Sequence, residues 1–227
     1  MNFDFYALSD IGRVRRDNQD DYLVLKKSDN AMIAGVFDGV GGCDDGKAAA
    51  KCAVDVLHRE FIENDMPDDL FECRNIVEQY LFVINDELKK NYNSSGLKLQ
   101  TTGSILYMTD KAYFVSNVGD SPVFLIREGE IFQVTRDHNP DDDRKNILTQ
   151  ALGYPFEITP FSDFESVASG DVFIVCSDGL SGYLKKAKIL EFFDNSDSIE
   201  DFVINMINCA NSSGGLDNIT AIAIRVS

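Results

Sequence analysis

Basic residues are scarce in this chain. Lys and Arg number 21 against 38 Asp and Glu, which leaves a formal net charge of −17. Such a surface repels nucleic acid and anionic membranes, so neither is expected as a partner, and it favours bound cations. Histidine is scarcer still: there are two, neither with a cysteine at ligand spacing, which excludes a zinc centre of the usual kind. The five cysteines are odd in number and form no Cys-x-x-Cys pair. They read as reduced thiols, several of them buried, of a cytoplasmic protein. No apolar run approaches the ~20 residues of a membrane helix. The opening MNFDFYALSD has neither the basic region nor the apolar core of a signal peptide. Linkers, low-complexity tracts and long repeats are also missing. The expectation is one domain over residues 1–227, with 44% hydrophobic residues to build its core.

What is present is a pattern that changes period. Phe3, Phe5 and Ala7 alternate as on a strand, and Tyr22–Leu25 and Met32–Phe37 are short apolar runs bounded by turn residues. From Gly46 the apolar residues Ala49, Cys52, Ala53, Val56, Leu57 and Phe61 recur at helical spacing. A second helix is expected to begin near Pro67 and to break at NYNSSG. Strands follow at 104–108, 112–118, 123–126 and 131–134, then at 172–176 and 219–226, with helices at about 185–193 and 199–208. Strands and helices grouped in this way predict an α+β layered fold of two antiparallel sheets, each covered by a helix pair.

The chemistry lies in five aspartates at or just past the end of a probable strand: Asp20, Asp38, Asp120, Asp178 and Asp217. A buried carboxylate is costly unless paired, hydrogen-bonded or bound to metal, and nearby basic residues are too few to pair all five. Asp-Gly is a common hairpin turn, yet FDGVGG at 37–42 and SDGLSG at 177–182 each lead from an apolar strand into a helix. Asp217-Asn218 precedes the last strand and adds a third carboxylate. Oxygen ligands of this kind suit Mg²⁺ or Mn²⁺. Ligands of a lone Ca²⁺ loop gather within about a dozen residues, whereas these are spread over most of the chain. A site assembled by the fold is the better reading, and a binuclear one would activate water and clamp a phosphoryl group. The segment SDIGRVRRDNQD contributes three arginines suited to phosphate, or else to a solvated turn.

Taken together, the segments SDIGRVRRDNQD, VFDGVGGCDDGKAAA, TTGS, NVGDSPVFLIREGEI, VTRDHN, LTQALG, DVFIVCSDGLSGYL and DNITAIAI resemble, in order and spacing, the metal-dependent protein phosphatase family, protein phosphatase 2C, in its compact bacterial form. The resemblance runs from Phe3 to Val226. It implies a four-layer α-β-β-α sandwich with a binuclear metal site between the two sheets. Asp38 would bridge two Mn²⁺ or Mg²⁺ ions, the Gly39 carbonyl would bind the first, and Asp178 and Asp217 the second. Asp20 would act through ordered water, and Asp120 with Asp178 would hold a third, weaker ion. Arg15 would hold the substrate phosphate. The implied reaction is hydrolysis of phosphoserine or phosphothreonine by metal-activated water, without a phosphoenzyme. The substrate would be a phosphorylated protein, target of a serine/threonine kinase, and the enzyme a monomer.

The chain departs from the family pattern in places. Gln19 stands where the motif usually has Glu and removes one negative charge beside the metals. Val40 replaces the histidine that some eukaryotic members carry as a proposed general acid. Pro122 replaces the usual arginine after Gly-Asp-Ser. The flap is expected to be shortened to about 139–146, with Asp141–Asp143 a solvated acidic loop. His138 is expected to have a structural hydrogen-bonding role, His58 to face solvent, and Thr101 and Thr102 to bury hydroxyl bonds behind the site. The departures motivate a competing reading, a non-catalytic module that binds a phosphoprotein or kinase. Such a module is expected to have lost a direct metal ligand, and Asp38, Gly39, Asp178 and Asp217 are all present. A third reading, a relative acting on a regulatory partner protein, fits poorly with the presence of Arg15.

Overall fold

The computed structural model describes residues 1–140, 147–153 and 157–227. The acidic triplet Asp141–Asp143 and most of the expected flap lie outside them. The first sheet has the order β1-β10-β9-β6-β7, from β1 (Phe3–Asp10), β6 (Val123–Arg127), β7 (Glu130–Gln133), β9 (Val172–Cys176) and β10 (Ile219–Val226). The second has the order β2-β3-β4-β5-β8, from β2 (Asp20–Ser28), β3 (Ala31–Asp38), β4 (Gly103–Thr109), β5 (Ala112–Val118) and β8 (Phe161–Ser166). All pairings within both sheets are antiparallel.

Three apolar layers hold these parts together, because strand side chains alternate between the two faces of each sheet. Ile33, Phe37, Ile105, Tyr107 and Phe114 face the helices α1 (Gly46–Glu63) and α2 (Leu70–Ser95), meeting Leu57, Phe61, Leu81 and Ile84. Met32, Ala34, Val36, Leu106 and Val115, one residue out of phase, meet Val123, Phe173, Val175, Ile222 and Ile224 between the sheets. Ile174, Cys176, Ala221 and Ala223 face outward onto α3 (Asp178–Ser181), α4 (Lys186–Asp194) and α5 (Ile199–Ser212). The result is the expected four-layer α-β-β-α sandwich.

Several local expectations shift. The second helix starts at Leu70, not near Pro67, because the Asp69 carboxylate caps it by accepting from Phe71 N and Glu72 N at 2.9 Å. Strand β8 was not expected from the pattern. Phe5 is exposed although Phe3 and Ala7 join the inter-sheet core; it stands on the edge strand with the Lys26 ammonium 5.6 Å from its ring centre. Of the five aspartates, Asp20 opens a strand and Asp217 precedes one, so the shared feature is position at one end of the sandwich rather than at strand ends. His58 is exposed, as expected. No helix among the described residues is long and apolar enough to cross a membrane.

Candidate active site

Antiparallel pairing sets the centre of the site. Asp20 and Asp38 are direct cross-strand partners at the end of the β2–β3 ladder. The backbone beyond Asp38 is pinned from below: Asp38 N donates to Thr102 Oγ1 at 3.0 Å, and its carbonyl accepts from Thr102 N at 2.8 Å and from Thr101 Oγ1 at 2.9 Å. Both threonines are buried, and Thr102 also bonds Ser121 Oγ at 2.7 Å. Gly39 is required by close approach, since a Cβ there would lie 2.4 Å from the Gly46 carbonyl that opens α1. The same holds for Gly179, where a Cβ would lie 1.9 Å from the Asn218 carbonyl. This contact brings Asp178, the first residue of α3, beside Asp217.

These elements surround a cleft of about 730 Å³ lined by Arg15, Gln19, Asp38, Asp120, Asp178 and Asp217 and by the Gly39–Gly41 turn. Val40, Leu148, Tyr183 and Leu216 add apolar surface. Four carboxylates thus face it with Arg15 as the one cation among the described lining residues. Asp20 lies behind the lining. Its Oδ2 accepts from Ser177 Oγ at 2.8 Å and Thr220 Oγ1 at 2.6 Å, whereas its buried Oδ1 has no hydrogen-bond partner among the described residues.

The electrostatics follow from burial and crowding. Asp38 titrates well above the ordinary carboxylate range because it is buried and faces Asp20, Asp178, Asp217 and Asp120. Asp178 is pushed up to about 7 by burial and then by Asp120, Asp217 and Asp20; contact with Asp38 partly offsets the rise. Asp20 is raised to about 6 by burial, against its bonds to Thr220 and Ser177. Burial also raises Asp120, and the Asn139 amide, 3.0 Å from its Oδ2, opposes that rise. The protein alone does not neutralise this cluster.

A divalent ion fits what remains. The donors are hard oxygens, one buried carboxylate oxygen has no hydrogen-bond partner among the described residues, and burial and mutual repulsion raise the pKa of Asp38 and Asp178. Among the described residues no group of three or more Cys, His, Asp or Glu side chains is already closed around an ion position. The carboxylates converge on one cleft, where Asp38 is the cross-strand partner of Asp20 and shares the lining with Asp178.

Comparison with known proteins gives the family and the fold. The protein phosphatase 2C family model matches residues 13–222. The chain belongs to the protein phosphatase 2C family. Protein phosphatase PhpP of Streptococcus pneumoniae is 30% identical over 241 aligned residues, covering 97% of this chain and 96% of its own length. The serine/threonine phosphatase of S. agalactiae superposes with a TM-score of 0.91 at 27% identity, over 99% of this chain and 100% of that one. The catalytic domain of the phosphatase PstP, solved in complex with two manganese ions, shares the fold with a TM-score of 0.84 at 23% identity, over 99% of both chains.

The structure brings Arg15, Asp38, Gly39, Asp120, Asp178 and Asp217 to one cleft and sets Asp20 behind it. Gln19 and Val40 line the cleft. Pro122 does not line it among the described residues: it is buried just before β6, and its carbonyl accepts from Cys176 N at 3.2 Å. His138 has the expected structural role, its Nδ1 accepting from Gly119 N at 3.1 Å. The sequence reading missed three supports. Ser177 and Thr220 hold Asp20, and the Asn218 amide ties two loops together. Polar residues flanking or interrupting the apolar β9 and β10 segments were the available signal.

Proposed function

We propose that this chain is a metal-dependent serine/threonine protein phosphatase that hydrolyses phosphoserine and phosphothreonine. The observation that carries the reading is the convergence of four carboxylates and one arginine on a single cleft, in a chain of this family. Catalytic activity is assigned to one domain spanning residues 1–227, with the flap shortened to 139–146. Asp38 is proposed to bridge two ions, Mn²⁺ or Mg²⁺, with the Gly39 carbonyl on the first and Asp178 and Asp217 on the second. Asp20 would support them through water, and Asp120 with Asp178 would hold a third, weaker ion.

Bound ions would lower the pKa of water and offset the charge of the phosphoryl group. The chain's own residues do the rest. Arg15, exposed in the cleft lining, presents a planar guanidinium to phosphate oxygens and orients the ester. Thr101 and Thr102 fix the Asp38 backbone, so the bridging carboxylate is preorganised rather than recruited. Val40 offers no proton, and the neutral Gln19 amide adds no charge to a crowded set of acids. The substrate is a phosphorylated protein made by a serine/threonine kinase. The chain is proposed to act as a monomer, and a cytoplasmic location accords with its five free thiols.

Hydrolysis of p-nitrophenyl phosphate and of a phosphothreonine peptide, with and without Mn²⁺, tests this by comparing wild type with Asp38→Ala. Metal-dependent turnover lost in the variant is expected. No turnover by wild type, with phosphopeptide still bound, would establish the non-catalytic binding module instead.

A further inference from the structure

Asn218 is 3% exposed and does not line the cleft among the described residues, yet its amide is engaged at both ends. Its Oδ1 accepts from Gln19 N at 2.9 Å, and its Nδ2 donates to the carbonyls of Ile11 at 2.9 Å and Asp17 at 3.0 Å. These backbone groups bracket Arg15 on both sides. The backbone N–H of Asn218 donates to Asp217 Oδ1 at 2.9 Å, which leaves Oδ2 to Arg15 Nη2 at 2.8 Å.

The bracketed segment has little else to hold it. It forms neither helix nor strand, and Arg13, Val14, Arg15, Arg16 and Asp17 are all exposed. Its remaining backbone anchors among the described residues lie at its two ends: Gly12 N donates to Asp10 Oδ1 and Arg13 N to the Gly215 carbonyl at the start, and Gly39 N donates to the Gln19 carbonyl at 3.1 Å at the finish. A half-exposed loop loses conformational freedom only where something fixes it. Beyond Arg15 the loop is fixed by Asn218 at Asp17 and Gln19, with the Gly39–Gln19 bond and the Asn18 amide on Ser9 Oγ at 2.7 Å beside it. The side-chain bonds of Asn218 reach backbone on both sides of Arg15. A phosphate-binding guanidinium displaced by even about 1 Å loses much of its value.

We propose that Asn218 is a positioning residue for the substrate phosphate. It acts through Arg15 by clamping the 11–19 loop on both sides of it. The inference rests on the phosphatase reading and adds a residue that touches neither substrate nor ion. A merely structural asparagine would affect folding and turnover without regard to whether Arg15 is present, and that difference is measurable.

The test is a double-mutant cycle on the Mn²⁺-loaded full chain with a phosphothreonine peptide. Asn218→Ala should raise KM on the order of tenfold, with kcat changed by less than about threefold. In an Arg15→Ala background the same substitution should change kcat/KM by less than about twofold. Asn218→Ser, which keeps a hydroxyl in the site, should give a smaller KM rise and carries the cycle if the alanine variant does not fold. Full additivity, a kcat loss at unchanged KM, or recovery by excess Mn²⁺ would each overturn the proposal. Absence of wild-type turnover would overturn the phosphatase reading instead. Calorimetric binding of inorganic phosphate to the Mn²⁺-loaded protein then decides the role of Asn218: weaker binding to the alanine variant supports it, and equal binding ends it.

Discussion

Arg15 donates through Nη2 to Asp217 Oδ2 at 2.8 Å, so the proposed phosphate-binding cation is paired with a proposed metal ligand. The side chains are 42% and 32% exposed. A pair this open contributes under about 1 kcal/mol to stability, and it can be exchanged for better partners. An ion on Asp217 would compete for that carboxylate and release the guanidinium toward substrate.

Arg15→Ala should therefore leave the melting temperature nearly unchanged while raising KM for a phosphopeptide by roughly tenfold or more. Arg15→Lys should recover only part of the loss, because an ammonium cannot make the two parallel bonds of a guanidinium. Steady-state kinetics and calorimetry on the three proteins check this. Full recovery by lysine would show that charge alone suffices.

Asp38→Asn should separate activity from stability. The Asp38 carboxyl is buried among like charges, so neutralising it removes repulsion from the metal-free protein. With chelator near neutral pH, the variant is expected to melt no lower than wild type. Its melting temperature should no longer respond to Mn²⁺, and phosphatase activity should be lost. A variant that gains stability from Mn²⁺ as wild type does would remove Asp38 from the ligand set.

The raised carboxylates also fix the sign of a pH effect. Folded Asp20 and Asp178 titrate near 6 and 7, and burial among like charges raises Asp38 well above the ordinary carboxylate range, whereas an unfolded Asp releases its proton near pH 4. Between about pH 4 and 7 the folded state therefore binds more protons than the unfolded one, and stability falls as pH rises. Ions compete with those protons, so the Mn²⁺-induced rise in melting temperature should be larger at about pH 7.5 than at about pH 5.5. The metal-free slope should flatten in Asp38→Asn, which distinguishes the buried cluster from general repulsion across an acidic surface. An unchanged slope in that variant would refute the assignment.

Gly179→Ala tests whether the two loops must touch. A Cβ placed 1.9 Å from the Asn218 carbonyl forces the backbone apart, at a cost of about 1–3 kcal/mol by analogy with overpacked cores. Urea unfolding measures that cost. Mn²⁺ affinity should fall as well, because Asp178 and Asp217 separate. Normal affinity in a destabilised variant would show that the contact serves folding alone.

Much of this was legible in the sequence. The change from period 2 to helical period located α1, and the Asp-Gly turns located Asp38 and Asp178, because glycine is demanded where backbones nearly collide. Strand β8 was not legible: FSDFES is half-exposed at a sheet edge, and its partner β5 lies more than forty residues earlier. The Asp69 cap was masked by Pro67, which also resembles a helix start. The Asn218 clamp joins positions some 200 residues apart, and spacing in one chain carries no trace of that contact. Asp20 behaved similarly. Its burial depends on Ser177 and Thr220 arriving from the other sheet.

That arrival from two sides has a mechanical consequence. Asp20 and Asp38 belong to one sheet, Asp178 and Asp217 follow or precede strands of the other, and Asp120 lies in the crossing between β5 and β6. Ions held by this set would rivet the two leaves of the sandwich at one end, where the chain has no covalent bridge because all five thiols are free. Metal loading would then slow the parting of the leaves and make unfolding a question of how fast the rivet is drawn.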